Sequence, residues 1–457
     1  MGEKVAIIIC NYNKKDHLLN CIASVKELNN PSFDLFVVDN ASVDGSVKAV
    51  EDSHRMFLTL IKNHENLGGS GGFNSGIRKA LKMGYRYLYL LDNDIILDRN
   101  ALIELYNYLE NHLDVGIAGS AIYSMDKPEE LQELGANIDW ENYSIKPKFK
   151  GHIDNGQLPT VTECDYVPAC SMLVRADVIR EVGLMDEGNF IYWDDIEWGY
   201  RFKKAGYKVV AISASKVWHK MGAAAKVNTF GTYYFWRNRV HFFVKYSDEN
   251  TIQRFADQIF YETFQALYTC NFNGKHNSAR TIMTALEDAC NNIRGKAPAG
   301  RIMELERVEP AIERLLSGKQ RVLLIDCDDI KILRDIVNKI MSLGVKELVL
   351  SAKENSVQDL QVQFPNLRVE KYEYCTFEGF DLVCQACYHI FEQHYHSDEK
   401  VDAYIDRFLN VVSSSEDLNY AKNYHHTYEF FRNTFYPLFL DKLLLLKERL
   451  EKEHERC

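Results

Sequence analysis

Two acidic stretches of the sequence hold side chains that could bind a metal ion and move a proton. The first, LYLLDNDI, places Asp92 and Asp94 at the end of a predicted apolar strand, where alternate residues point to the same side. Two carboxylates so placed can hold a divalent cation against phosphate groups. We interpret the pair as a candidate metal site, although an isolated D-x-D pattern is weak because aspartate is common in turns.

The second stretch, IYWDDIEWGYRF, begins a predicted amphipathic helix with Asp194, Asp195 and Glu197. The helix dipole favours acids at this position, which alone would explain them. The flanking aromatic residues, Tyr192, Trp193 and Trp198, favour a further role, because rings stack on sugars and partial burial makes a carboxylate more basic. His219 ends the predicted strand KVVAISASKVW and could bind the same cation, but a lone histidine is more often a packing residue.

A glycine-rich stretch, NLGGSGGFNSG, fills residues 66–76. Glycine inside an element costs roughly 0.5–1 kcal/mol relative to alanine, so the cluster indicates that something comes close to this backbone. A glycine turn before a helix can cradle an anion, and phosphate is the expected one. The dinucleotide fingerprint is absent, since Asn74 occupies the third glycine position counted from Gly69. Tight packing of a helix explains the glycines equally well, and this alternative stays open.

Alternating strand and helix patterns surround these stretches and predict an α/β fold. Strands that alternate with helices favour a parallel sheet covered on both faces, with ligands beyond the carboxyl ends of the strands. The polar residues expected at those ends are Asn11, Asn13, Asp39, Asn66, Asp92 and Asp94.

Length and charge exclude several classes of protein. A chain of 457 residues predicts two or three domains, and a net charge of -11 argues against broad nucleic-acid binding. The start MGEKVAIIIC predicts no secretory signal, and no apolar run reaches the roughly 20 residues of a membrane span. The C-terminal FYPLFLDKLLLLKERL is interpreted as a packed helix, with a helix on a membrane surface as the alternative. The eleven cysteines show no disulfide spacing, which predicts reduced thiols.

Six motifs together resemble family 2 glycosyltransferases of the GT-A fold. They lie within residues 4–245 in the family's order and spacing: IIICNYNKKDHL, VVDNASVDGS, NLGGSGGFNSG, LLDNDI, YWDDIEWGYRFKKAGY and VWH. The chain is most similar to galactofuranosyltransferases, with rhamnosyltransferases second. Asn93 between the two acids and the absence of a large N-terminal β-domain depart from the galactofuranosyl pattern, so the sugar stays open.

The resemblance implies a role for each motif residue. Mn²⁺ or Mg²⁺ would be bound by Asp92, Asp94 and His219. Asp195 would be the general base of an inverting transfer, with Asp194 and Trp193 contacting the acceptor. The nucleotide-sugar would be bound by Tyr12, Asn13, Asp39, Asn66, Gly68, Gly69, Asn74, Asp92 and Asn93. Arg237 and Arg239 would either reach the phosphates or lie on the surface.

The resemblance also implies partners and a place of action. The donor would be UDP- or dTDP-linked, and the acceptor a glycan or lipid-linked glycan of a cell-surface polysaccharide. With such an acceptor, the protein would act at the cytoplasmic face of the membrane and would associate with it peripherally. The alternatives are a noncatalytic nucleotide-sugar or glycan-binding homologue and a nucleotidyltransferase, which would release pyrophosphate.

Three regions are predicted along the chain: a catalytic domain at 1–245, a helical region at 246–318, and a small α/β and helical domain of unknown role at 319–457. The last region contains a second apolar strand that ends in aspartates, VLLIDCDD. We interpret its Asp326, Asp328 and Asp329 as residues of a turn at the end of the strand. The same region also holds a cluster that could suggest zinc but is better explained by core cysteines: Cys384, Cys387, His389, His394 and His396.

Overall fold

The computed structural model describes residues 5–29, 31–54, 57–220, 227–374, 376–393, 395 and 400–454. The chain forms two compact units. The first unit comprises Met1–Ile259, Thr281–Glu304 and Asp441–Cys457, and the second comprises Phe260–Arg280 and Leu305–Leu440. The predicted boundaries at residues 245 and 318 stay predictions.

The first unit is built on a ten-stranded sheet with a separate two-stranded hairpin. Its strands are β1 Val5–Asn11, β2 Phe33–Asp39, β3 Leu58–Lys62, β4 Tyr87–Asp92, β5 Ile95–Leu97, β6 Val115–Ser124, β7 Leu131–Glu133, β8 Ala136–Asp139, β9 Ser144–Pro147, β10 Val161–Cys164, β11 Ser171–Arg175 and β12 Lys208–His219. The main order is β10-β12-β6-β11-β4-β1-β2-β3, with β5 paired to β12 and β7 to β6. Within this order only β10 and β11 oppose the common direction.

Helices follow the first three strands of this sheet, and fourteen α-helices lie among the described residues in all. They are α1 Lys15–Lys26, α2 Ser46–His54, α3 Gly68–Met83, α4 Ala101–Asn111, α5 Ala176–Val182, α6 Asp194–Lys204, α7 Phe230–Tyr246, α8 Glu249–Phe272, α9 His276–Cys290, α10 Ala311–Leu316, α11 Ile330–Ser342, α12 Val357–Gln363, α13 Ser415–Lys422 and α14 Tyr424–His454. Within the described part of the chain, no helix combines the length and the apolar character needed to span a membrane.

The apolar sequence of β1 explains its place inside the first sheet. Alternate residues of a strand face opposite sides, and both sides of β1 are buried. Ile7 packs in one core with Ile22 of α1, while Ile8 packs in the other with Ile77 of α3. Helices therefore cover both faces, and the predicted α/β fold with a mostly parallel sheet is confirmed.

The second unit contains a six-stranded sheet. Its strands are β13 Arg321–Ile325, β14 Glu347–Ala352, β15 Arg368–Lys371, β16 Leu382–Cys387, β17 Ala403–Asp406 and β18 Val411–Val412. The order is β15-β14-β13-β16-β17-β18, and all neighbours are parallel except β17 and β18. Cys384 and Cys387 are buried in β16, in line with core cysteines. His394 and His396 lie outside the described residues.

Candidate active site at the carboxyl edge of the first sheet

A tight turn and a long-range strand pair assemble the candidate metal site. Strand β4 ends at Asp92, and a turn containing Asp94 leads into β5. Strand β5 pairs antiparallel with the end of β12, which sets Ile95 opposite His219. The peptide N–H of Lys220 donates to the backbone O of Asp94 at 3.1 Å. The prediction of one extended strand through both aspartates is wrong at Asp94, and the β5–β12 pairing is what brings His219 beside it.

Asp92, Asp94 and His219 form one cluster whose ligand atoms all lie within 4.8 Å of one another. His219 Nε2 lies 3.4 Å from Asp94 Oδ1, and Lys14 Nζ donates to Asp94 Oδ2. Across the described residues, no second group of three such side chains with this spacing occurs. Two carboxylates and an imidazole fit Mn²⁺ or Mg²⁺. The three predicted metal ligands therefore lie together.

The two carboxylates of the cluster differ in acidity. Burial, followed by the charge of Asp94, raises the pKa of Asp92 to about 6. Burial would also raise the pKa of Asp94, but its hydrogen bond with His219 and the charges of His219 and Lys14 lower it to about 2. A bound cation would relieve the repulsion between the two carboxylates.

Strand β7 adds two residues to this edge that no sequence motif revealed. Gln132 contacts His219 twice, since its Nε2 donates to the backbone O at 2.8 Å and its Oε1 lies 3.1 Å from Nδ1. Glu133 follows, and its Oε1 is buried without a hydrogen-bond partner. Burial and the charge of Asp195 raise the pKa of Glu133 to about 8. A three-residue strand has no periodicity to detect, so only its pairing with β6 identifies it.

A chain of buried polar side chains crosses the edge from β4 to β2. Asn93 Nδ2 donates to Asn11 Oδ1 at 2.7 Å, and Asn11 Nδ2 donates to Asp39 Oδ1 at 3.0 Å. Asp39 Oδ2 accepts the peptide N–H of Ser42 at 2.9 Å. These bonds fix the ends of three neighbouring strands. The predicted contacts of Asp39 and Asn93 with the nucleotide-sugar stay predictions.

The loops after β1 and β2 are tied together beside an exposed ring. The peptide N–H of Asn13 donates to Ser42 Oγ at 3.0 Å, and Asn13 Oδ1 accepts from the N–H of Val43 at 2.8 Å. Tyr12 is 45% exposed at this place. Its ring is therefore accessible, as a contact with a nucleotide base would require.

The middle of the glycine stretch serves packing of α3 on the sheet. A Cβ atom at Gly72 would lie 2.3 Å from Cys10 Sγ, and one at Gly76 would lie 2.4 Å from Ile8 Cγ2. A Cβ atom at these distances would overlap its neighbour, so one of the two would have to shift. Tight helix packing, the alternative left open by the sequence, thus explains these two glycines.

The start of the stretch packs against the loop that carries the second acidic pair. Gly68 has a φ of +74°, and a Cβ there would lie 2.0 Å from the backbone O of Phe190. Its N–H donates to Asn66 Oδ1 at 2.8 Å. A Cβ at Gly69 would lie 3.2 Å from Asp194 Oδ2. The glycines therefore let the start of α3 lie against the loop before α6. The predicted contacts of Asn66, Gly68 and Gly69 with the nucleotide-sugar stay predictions.

Asn74 has a structural task within α3. Its Nδ2 donates to Met185 O and Glu187 Oε1, both at 2.9 Å, and its Oδ1 accepts from Met185 N–H at 3.2 Å. The side chain is fully buried. Both ends of the amide are thus engaged within the protein, which gives no support to the predicted donor contact.

Asp195 lies in the first turn of α6, within electrostatic reach of the metal cluster. Its Oδ1 accepts from the N–H of Ile196 at 2.8 Å and its Oδ2 from that of Ala169 at 3.4 Å. Burial raises the pKa of Asp195 to about 6, against the effect of these two N–H groups. The charge of Asp195 in turn raises the pKa values of Asp92 and Glu133. The arrangement can therefore accept a proton beside a metal site.

A strained loop delivers this acid pair. Phe190, Tyr192 and Trp193 all have positive φ angles, which side chains other than glycine rarely adopt. Arg237 is fully buried, so it is not a surface residue, and its guanidinium donates to the backbone O atoms of Gly188, Asn189 and Gly295. Asn238 Nδ2 donates at 2.8–2.9 Å to the backbone O atoms of Asn189, Ile191 and Tyr192. Helix α7 thus holds the loop in its strained conformation.

The predicted acceptor residues Trp193 and Asp194 are both buried. Trp193 is 2% exposed and packs against Phe242 and Phe243, so it offers no open face for a sugar. Burial and the charge of Asp195 raise the pKa of Asp194 well above its usual range. Tyr192, which is 45% exposed, is the aromatic residue that this loop presents to solvent.

Comparison with known proteins gives a family match and distant relatives. Residues 6–181 match the model of glycosyl transferase family 2. The galactofuranosyltransferase GlfT1 of Mycolicibacterium smegmatis is 24% identical over 206 residues, 45% of this chain and 67% of that protein. The dTDP-rhamnosyl transferase RfbF of Shigella flexneri is 26% identical over 222 residues, 49% of this chain and 71% of that protein.

Two solved structures align more loosely. One is GalNAc-T7 with UDP, GalNAc and Mn²⁺, with a TM-score of 0.43 and 15% identity over 54% of this chain and 48% of the other. The second is the mannosyltransferase PcManGT of Pyrobaculum calidifontis with GDP-Man and Mn²⁺. Its TM-score is 0.39, with 16% identity, and the alignment covers 65% of this chain and 76% of the other. Alignments this distant do not indicate which substrate the present chain uses.

Proposed function

We propose that this chain, which carries a family 2 glycosyltransferase domain, is a metal-dependent inverting glycosyltransferase. It moves a sugar from a nucleoside-diphosphate donor to a hydroxyl group of a glycan or glycolipid. The observation that carries the proposal is the cluster of Asp92, Asp94 and His219, with the carboxylate of Asp195 in electrostatic reach.

The donor side of the reaction is assigned to the metal cluster and the loops next to it. Asp92, Asp94 and His219 would hold Mn²⁺ or Mg²⁺, which supplies positive charge to the departing diphosphate as a Lewis acid. Lys14, whose Nζ already lies at Asp94, adds a second positive charge there. The exposed ring of Tyr12 would contact the base.

Asp195 is the proposed general base. It accepts the proton of the acceptor hydroxyl while the acceptor oxygen bonds to the anomeric carbon. The bond from that carbon to the diphosphate oxygen breaks, and its electron pair leaves with the nucleoside diphosphate. Attack opposite the leaving group inverts the anomeric configuration. A pKa of about 6 leaves Asp195 ionised at neutral pH and more basic than an ordinary aspartate.

The acceptor side is assigned to groups around Asp195. Tyr192 exposes an aromatic ring in the same loop, and Glu133 places a buried carboxyl near the base. A carboxyl with a pKa of about 8 is protonated at neutral pH, so Glu133 could donate a hydrogen bond to an acceptor oxygen without repelling Asp195. Asp194, whose pKa is raised well above its usual range by burial and by the charge of Asp195, would support the position of its neighbour.

Galactofuranose and rhamnose are the sugars we favour, carried by UDP or dTDP. The support is the activity of two relatives, a galactofuranosyltransferase and a dTDP-rhamnosyl transferase. Synthesis of a cell-surface polysaccharide at the inner face of the membrane would follow, and peripheral association stays a prediction.

Product analysis tests the proposal directly. The purified full chain is incubated with Mn²⁺ and a panel of UDP-, dTDP- and GDP-sugars, with and without glycan acceptors. Manganese-dependent release of nucleoside diphosphate is the expected result. Release of pyrophosphate would instead identify a nucleotidyltransferase. A donor that raises the melting temperature without any turnover would identify a noncatalytic binding protein.

A further inference from the structure

Gln132 reaches His219 from a different strand. Strand β7 pairs antiparallel with β6, and β6 pairs with β12 so that Ser124 lies opposite His219. From this position the carboxamide of Gln132 contacts both the backbone O and the ring Nδ1 of His219, at 2.8 Å and 3.1 Å. One side chain therefore fixes both the main chain and the ring of a proposed metal ligand.

The chemistry of these atoms determines where the ring hydrogen lies. A backbone carbonyl oxygen only accepts, so the amide end that faces it must be the NH₂ group. The oxygen of Gln132 then faces Nδ1, and because this oxygen also only accepts, Nδ1 must carry a hydrogen. Without a cation, Nε2 can carry a second hydrogen toward Asp94 Oδ1, which lies 3.4 Å away. Because Nδ1 keeps its own hydrogen, Nε2 is the nitrogen whose lone pair becomes available when a cation takes the place of that second hydrogen.

We infer that Gln132 is a positioning residue that holds His219 in the tautomer whose Nε2 binds the cation. The inference rests on the proposed function, because it concerns the same metal site. A metal-ligating histidine usually donates its other ring N–H to such a partner, and loss of the partner weakens metal affinity by roughly 10–100-fold. Gln132 would therefore affect metal binding without touching the metal or the substrate.

Two substitutions separate this role from that of a simple link between strands. Gln132→Met keeps the length of the side chain and removes both hydrogen bonds. Gln132→Glu keeps an oxygen for the Nδ1 hydrogen but cannot donate to the backbone O. The bond from Gln132 to the backbone O of His219 is lost in both variants, whereas the bond that holds the tautomer is kept in the glutamate variant alone.

The experiment measures the affinity of the full chain for Mn²⁺ by electron paramagnetic resonance. We expect affinity to fall roughly 10–100-fold in Gln132→Met and to be retained in Gln132→Glu. Glutamate also adds a negative charge, so nitrogen-15 spectra of the Mg²⁺-loaded proteins are recorded as a second readout. The His219 ring signals, identified with a His219→Ala variant, should show a hydrogen on Nδ1 in the unmodified chain and in Gln132→Glu.

Several results would overturn the inference. Unchanged Mn²⁺ affinity in Gln132→Met, equal weakening in both variants, or an Nδ1 without hydrogen in the unmodified chain would each reduce Gln132 to a packing residue. The proposed metal site would survive these results if the unmodified chain binds Mn²⁺ and His219→Ala does not. Absence of Mn²⁺ binding by the unmodified chain would contradict the proposed site, and the inference with it.

Discussion

Strand β4 of the first sheet and strand β13 of the second are both apolar central strands followed by closely spaced aspartates. After β4, Asp92 and Asp94 receive His219 from β12, and their ligand atoms gather within 4.8 Å. After β13, Asp328 and Asp329 form bonds of other kinds. Asp329 caps α11, with Oδ1 accepting two of its N–H groups, and Asp328 forms an exposed ion pair with Lys353.

The difference shows what turns a pair of aspartates into a metal site. The carboxylates alone are present at both edges, but within the described residues it is the first edge that has a strand, β5, paired with the end of a distant strand. The third ligand, His219, arrives by that route, and its partner Gln132 comes from β7, which pairs with β6 beside β12. At the second edge the neighbouring helix begins at once, and its cap occupies a carboxylate. The predictions below test this contrast, from the largest expected effect to the smallest.

Replacement of the proposed base should have the largest effect. Asp195→Asn keeps the shape of the side chain but cannot accept a proton, so the transfer rate should fall by roughly 10²–10⁴. Asp194→Asn is the matched control. Asp194 would support the position of Asp195 rather than take up the proton, so an amide at residue 194 should cause a smaller loss of rate.

Transfer rates and calorimetric affinity for nucleoside diphosphate are measured for both variants. Asp326→Asn, at the second edge, should change neither quantity. A near-normal rate in Asp195→Asn, or loss of nucleotide binding along with activity, would remove Asp195 from the role of base.

The dependence of the rate on pH should show the raised pKa of the base. An acid whose pKa is raised loses its ionised form at a higher pH than usual. Because Asp195 has a pKa of about 6, the rate should fall as pH drops through 6, roughly tenfold per unit below it. If the base had the pKa of an ordinary aspartate, the rate would instead fall as pH drops through about 4. The rate at saturating donor between pH 4.5 and 8 is the measurement, and a constant rate down to pH 4.5 would contradict the assignment.

The packing of α3 gives a smaller effect, on stability. Helix α11 covers the second sheet with Leu333, Ile336 and Ile340, whereas α3 approaches β1 through glycine. Gly76→Ala places a methyl group 2.4 Å from Ile8 Cγ2, and such overpacking costs about 1–3 kcal/mol. Urea unfolding should show this loss. Gly69→Ala meets only a side-chain oxygen at 3.2 Å and should lose less. Equal unfolding free energies for Gly76→Ala and the unmodified chain would show that α3 can move away.

The sequence predicted the parts of the site that carry motifs. The end of the predicted strand was enough to expect Asp92 and Asp94 close together, and the resemblance to family 2 glycosyltransferases added His219 to them. The α/β fold followed from the alternation of short apolar runs with helical spacing. These features are local or periodic, so they can be detected in one sequence.

The residues that were missed depend on tertiary contacts. Gln132 and Glu133 lie on a three-residue strand that only its pairing with β6 defines. The ion pair of Lys14 with Asp94 joins two loops that are distant in sequence. The burial of Trp193 follows from its packing against α7, so the aromatic residue open to solvent is its neighbour Tyr192. Side-chain burial and partner choice are set by long-range packing, which motifs do not encode.

The most direct test is a calorimetric titration of Mn²⁺ into the full chain and two matched double variants. One variant carries Asp92→Asn with Asp94→Asn at the first edge, and the other carries Asp326→Asn with Asp328→Asn at the second. We predict that the first variant loses Mn²⁺ binding, while the second binds as tightly as the unmodified chain. Unchanged binding in the first variant, or loss of binding in the second, would contradict a metal site built by Asp92, Asp94 and His219.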